Sequence, residues 1–149
     1  MKLRSLLGLM TMIALINIGC SKDNDDNGSG KTEAISSAGW KFSTATVGGV
    51  DFSSQIPACQ RDNIVTFAAN NTGTVAEGTM VCDPSTAGNF TWQFTEQESK
   101  LTTSTAIIPG GNGEFNIVTL NATTMVLSQA TNLIPSPIPV TITVTLVHP

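Results

Sequence analysis

From residue 39 onward, apolar and polar residues alternate one by one in short runs, the mark of strands with one buried and one wetted face. The last run is the clearest: Val140, Ile142, Val144 and Leu146 alternate with Thr141, Thr143 and Thr145. Phe90, Trp92 and Phe94 place three aromatic rings on one face, with Thr91, Gln93 and Thr95 on the other. The polar turn Glu96-Gln97-Glu98-Ser99 joins that run to Lys100–Thr105 as a hairpin, and Asn121-Ala122 joins Glu114–Leu120 to Thr123–Ser128 as another. Earlier, Trp40–Thr46 reads as a first strand and Asn63–Ala69 as a second, with Asn70-Asn71-Thr72-Gly73 turning into a third. The expectation is eight strands, at about 39–46, 63–69, 74–80, 89–96, 100–106, 114–120, 123–129 and 139–147, with no helical period after residue 40. Short connections between neighbours favour an antiparallel meander. Closing it into an eight-stranded up-and-down barrel removes the exposed edges. Such a barrel is filled by side chains or holds one small ligand. A sandwich of seven or eight strands gives the same alternation and stays open as an alternative. The Pro-rich Asn132–Pro139 connection must cross to the final strand, either as a surface strap or as a lid over the barrel mouth.

The pattern before residue 39 is different. Lys2 and Arg4 precede a run of about thirteen mostly apolar residues, Leu6 to Ile18, and Gly19-Cys20 closes it. A membrane-crossing helix needs roughly 20 apolar residues, so this run reads as a cleaved secretory leader. A cysteine at the first mature position resembles the bacterial lipoprotein signal, which implies acylation of Cys20 and anchoring by its lipid. Ser21 at the next position resembles the pattern of lipoproteins passed on to an outer membrane. Asp23-Asn24-Asp25-Asp26 resembles the acidic signals that carry some Gram-negative lipoproteins to the surface, and also reads simply as a solvated linker. Residues 21–36 hold too few apolar groups to offset the entropy of ordering them. The division expected is a signal peptide at 1–19, a lipidated cysteine and flexible acidic, Gly/Ser-rich tether at 20–36, and one all-β domain at 37–149.

Composition narrows the partners. The chain has seven basic and eleven acidic residues, and loss of the leader removes Lys2 and Arg4, leaving a net charge of about −6. With no basic cluster, the mature chain lacks the electrostatic footprint of a nucleic-acid binder, and contact with a membrane falls to the lipid. Of three cysteines, Cys59 and Cys82 remain once Cys20 is acylated, an even pair in an oxidising compartment. A bridge between them closes a loop of about 24 residues, worth on the order of 3 kcal/mol in the chain-entropy model. It would staple the long 48–63 connection to the loop near Asp83.

Catalytic chemistry finds little to work with. There is no tyrosine and one histidine, His148, one residue from the end, where fraying is expected. No Ser-His-Asp or Cys-His set can be assembled from interior positions. Glu96 and Glu98 fall in a turn, where solvated charges are the ordinary explanation. No CxxC spacing or calcium-loop pattern suggests a metal, and no cofactor is implied. Asn70-Asn71-Thr72, Asn89-Phe90-Thr91 and Asn121-Ala122-Thr123 match the glycosylation sequon but read more simply as turns and strands.

The order of several residues does point to a family. Gly39-Trp40-Lys41 opens the domain, Gln55-Ile56-Pro57-Ala58-Cys59 follows, and a strand ending in Phe67 leads to a turn with Gly73. Glu77-Gly78, Cys82-Asp83-Pro84 and Trp92 come next. This order resembles the small two-cysteine lipocalin-like domains of bacterial lipoproteins over residues 38–148. The resemblance implies an up-and-down barrel and supplies a fold more firmly than a function. Trp40, Phe67, Phe90, Trp92, Phe94 and Phe115 are the candidate ligand-lining residues, each weighed against plain core packing. Two functions follow as expectations. The first is non-enzymatic binding of a small apolar or amphipathic molecule, with a cavity of about 300 Å³ or more. The second is a protein or glycan interaction module using the loops of a packed barrel. The expected location is the bacterial cell envelope, lipid-anchored at the outer membrane.

Overall fold

Strand β1 (Trp40–Val47) turns at Gly48-Gly49 into the two-residue β2 (Val50–Asp51). Both glycines have positive φ, 58° and 83°, which a tight two-residue hairpin turn demands. A short 3₁₀ turn (Ser53–Gln55) and helix α2 (Ala58–Arg61) lead to β3 (Ile64–Phe67). The meander continues through β4 (Thr72–Ala76), β5 (Gly88–Thr95), β6 (Lys100–Thr103), β7 (Glu114–Leu120), β8 (Thr124–Asn132) and β9 (Pro139–Val147). The computed structural model describes residues 29–108, 111–132 and 138–149. The leader, Cys20, the acidic run and the Pro-rich residues 133–137 lie outside them, so the lid-or-strap expectation does too.

Every neighbour in the order β1-β3-β4-β5-β6-β7-β8-β9 pairs antiparallel, and β1 pairs again with β9. That pairing, from Lys41↔Val147 to Val47↔Ile142, closes a barrel of eight staves with β2 as a short extension of β1. The fold is a barrel, not a sandwich.

Two bulges correct the simple alternation. On β1 the register against β9 shifts between Phe42 and Thr44, so Trp40 and Ala45 are both buried despite opposite parity, with Phe42 packed against the core. On β7 it shifts between Ile117 and Thr119. Ile117 and Leu120 then both pack against the core while Val118 stays exposed. An extra residue bends the strand and raises its twist, which a closed barrel requires.

Successive strands alternate direction, so the short turns 68–71, 96–99 and 121–123 gather at one end. The long connections 48–63, 77–87 and 104–113 gather at the other. Helix α1 (Ser29–Ser36) caps the short-turn end. Composition assigned these residues to the flexible tether, and the tertiary structure overrides it. Ile35 is fully buried, its carbonyl accepts the indole N–H of Trp40 at 2.7 Å, and Lys31 donates to the Glu98 carbonyl at 2.7 Å. Eight residues are marginal as an isolated helix, so packing stabilises this one. Cys59 and Cys82 are bonded, joining the 48–63 connection to the 77–87 loop.

His148 does not fray. Strand β9 runs paired to Val147, and the imidazole lies 4.1 Å from the Trp40 ring with Nδ1 2.9 Å from the Gly39 carbonyl.

Candidate functional site

The aromatic residues singled out from the sequence fill the barrel. Trp40, Phe67, Phe90, Trp92 and Phe115 are buried, and Phe94 is packed against them. Phe67 meets Phe90 and Trp92 edge-on, at ring separations of 5.4 and 5.5 Å, and Trp92 meets Phe94 at 5.3 Å. These are the favoured geometries for quadrupolar rings. The Trp92 indole N–H donates to the carbonyls of Ala68 and Thr72. Phe90 lies across Gly73 on the neighbouring strand. A Cβ at residue 73 would collide with that ring, so glycine alone fits there.

Space is left at the end bearing the long connections. A cavity of about 220 Å³ lies between strands β1, β3, β4 and β9, which contribute Phe42, Val65, Val75 and Leu146. The segment after β6 closes it with Ala106, Ile107 and Ile108, and the polar side chains at its wall are Gln60, Asn63 and Thr86. The six candidate aromatics do not line it. Its volume is below the 300 Å³ expected and above the roughly 150 Å³ of a cavity that binds benzene.

The polar wall is held from outside by Glu77. Its carboxylate accepts the Thr86 amide at 2.7 Å, the Thr86 hydroxyl at 3.1 Å, the Cys82 amide at 3.3 Å and the Ser85 hydroxyl at 3.0 Å. The Thr86 amide above all, with the other donors, holds the Glu77 pKa below its ordinary value against some desolvation. Thr86 in turn accepts Asn63 Nδ2 at 2.9 Å. Asn63 Oδ1 and Gln60 Oε1 are buried with no hydrogen-bond partner. Asp62, between them in sequence, uses Oδ2 to accept the Met80 amide at 3.0 Å and does not line the cavity.

Two wider, shallow depressions of about 510 and 460 Å³ lie on the outer face of β4, β5 and β6. Uncharged Asn, Thr, Gln and Ser side chains dominate them, with Trp92 and Phe90 at their floors. Among the described residues, no three His, Cys, Asp or Glu side chains gather as metal ligands, and no helix is long and apolar enough to cross a membrane.

Sequence reasoning missed Gln60, Asn63, Ile107 and Ile108 as wall residues. Ile107-Ile108 carried a faint signal, an apolar pair just before Pro109-Gly110 where a solvated loop has no use for one. Asn63 carried none, because its burial depends on a loop 23 residues away.

A family model described as a lipocalin-like domain matches residues 38–127. No curated protein and no solved structure gives a significant match.

Proposed function

Because the chain belongs to the lipocalin-like domain family, we propose that it is a non-enzymatic binding protein that holds a small, largely apolar molecule at the loop-bearing end of its barrel. The fold favours small-ligand binding in general. The observation that carries the specific reading is the cavity of about 220 Å³, walled mainly by carbon in a barrel otherwise filled with aromatic rings. Apolar cavities with a few placed polar groups are what small hydrophobic ligands select. The leader and Gly19-Cys20 support a place in a bacterial envelope, with the lipid on Cys20 as anchor and the outer membrane as destination.

Native mass spectrometry of the full lipidated chain, extracted gently from its membrane with the Cys59–Cys82 bridge intact, tests the cargo. A small additional mass that is lost on denaturation is expected, and an unliganded mass in every preparation rejects the reading. Replacing Cys20 with serine is expected to release the protein into the soluble fraction. Retention in the membrane would overturn the anchor.

A second reading is favoured by the loops around the cavity, which leave Val50, Phe52, Met80 and Val81 exposed at 71%, 43%, 50% and 71%. Apolar side chains held out on one end of a domain mark a docking face for a protein or glycan. In the same spectrum, a co-purifying protein mass would select this reading over the cargo.

A further inference from the structure

We propose that the short-turn end of the barrel is the face set against the lipid headgroups of the membrane, which turns the loop-bearing end, with its cavity and exposed apolar residues, to the aqueous side. This rests on the reading of Cys20 as a lipid anchor and specifies how the barrel stands on it.

Helix α1 sets the geometry. It begins at Ser29 and is fixed to the short-turn end at both of its own ends. Ile35 is fully buried, its carbonyl accepts the Trp40 indole N–H, and the Lys31 ammonium donates to the Glu98 carbonyl in the turn 96–99. Ser29 lies two residues before Lys31, so the chain leaves the described barrel beside that turn. Nine peptide steps separate Ser29 from Cys20. At roughly 3.3–3.6 Å per step they span at most about 30 Å, whatever their conformation.

The loop-bearing end lies far from that exit. Strand β5 crosses the barrel in 8 residues, and at roughly 3.3 Å per residue and a tilt of about 40° it rises about 20 Å. The connections 48–63 and 77–87 stand beyond it. Setting them on the bilayer would draw the anchor chain along the side of the barrel through nearly its whole span. Setting the short-turn end there needs almost none of it. An undocked α1 would remove the distinction, since the steps from Cys20 to Ser37 span up to about 60 Å.

The surfaces of the two ends agree with this placement. Asn70, Asn71, Glu96, Gln97, Asn121 and Thr123 are exposed at the short turns. None of the large hydrophobic residues left exposed lies in α1 or in the turns 68–71, 96–99 and 121–123. A polar end lies against headgroups without entering the hydrocarbon, where unpaired polar groups are costly. Val50, Phe52, Met80 and Val81 are exposed at the other end, and their insertion into lipid is the competing placement. The short reach of the anchor opposes it, and leaves these residues to a partner or cargo that arrives through water.

The full lipidated chain, its bridge intact, in nanodiscs of phosphatidylethanolamine and phosphatidylglycerol doped with a gadolinium-chelate headgroup lipid, tests this by NMR. Amides of residues 68–71, 96–99 and 121–123 are expected to relax faster than without gadolinium, and those of residues 50–52 and 79–82 to be unchanged. Doubling the chain between Cys20 and Ser29 with Gly and Ser, which leaves α1 intact, is expected to shrink the contrast between the ends. Faster relaxation at the loop-bearing end of the unaltered protein, or at neither end, would overturn the proposed face and leave the anchor standing. An unchanged contrast in the lengthened variant would overturn the reach of the anchor as its cause. A chain that does not associate with the nanodiscs would reject both this inference and the anchor reading beneath it.

Discussion

Glu77 gathers donors from Cys82, Ser85 and Thr86, so one carboxylate fixes the loop that also carries half of the disulfide. Its pKa is held below the ordinary value of 4.5, chiefly by the Thr86 amide. A depressed carboxylate pKa makes a contribution to stability that is fully present above the unfolded value and fades as pH falls through the folded one. The protection factors of the Cys82 and Thr86 amides, the exchange rates corrected for their intrinsic pH dependence, are therefore expected to be level above about pH 4.5 and to fall below it. In Glu77→Gln the exchange should be faster at neutral pH and lack that step. An unchanged profile in the variant would remove Glu77 from its organising role. At this level the sequence was legible where a rule is local or arithmetical. Cys59 and Cys82 could be paired by parity, and Gly48-Gly49 between two valines carried a hairpin signal that the long-connection reading passed over. The role of Asn63 was not legible, since it is assigned by Thr86 and through it by Glu77.

Strand positions followed the alternation closely, because a period of two is imposed by the backbone itself. β5, β7 and β9 fall within a residue of where the pattern puts them. The third expected strand stops early, at Ala76 instead of residue 80, where Glu77 turns the chain toward its donors. The two bulges were invisible, because a strand that switches parity in mid-course looks like noise in a pattern of alternation. Helix α1 was invisible for another reason: its own apolar content is slight, and what holds it, the fully buried Ile35 and the bonds of Lys31 and Trp40, depends on the barrel end it meets. Ile35→Ala in the full chain is expected to lower the unfolding free energy by about 2–4 kcal/mol, the range for a buried isoleucine whose site cannot collapse fully. Denaturant titration checks this. A change near zero would return residues 29–36 to the tether.

A closed barrel with one end packed and the other partly hollow has a division of labour. The aromatic cluster Phe67, Phe90, Trp92 and Phe94 and the cap α1 fill the short-turn side, and the cavity remains where the long connections meet. Val75 sits at that wall, partly buried on β4. Val75→Phe is expected to occupy the space and to remove the small additional mass from the native spectrum. Overpacking of this kind typically costs about 1–3 kcal/mol of stability. Native mass spectrometry alongside thermal unfolding separates the two effects. A variant that binds as before would show that the ligand sits elsewhere, with the outer depressions over β4–β6 the next place to look.

The sequence by itself determined the class of structure, the approximate place of each of the eight staves and the pairing of the two cysteines. These are consequences of backbone period, parity and residue chemistry, and all can be read along the chain. The tertiary structure decided what depends on residues distant in sequence: that the sheet closes on itself through β1 and β9, that the six candidate rings pack in the core and do not border the cavity among the long connections, and that an acceptor at Asn63 is left unmet. The physical reason is that a cavity is what remains after packing. Its position is set by strand tilt, two bulges and three loops acting together, none of which leaves a periodic trace in the order of the residues.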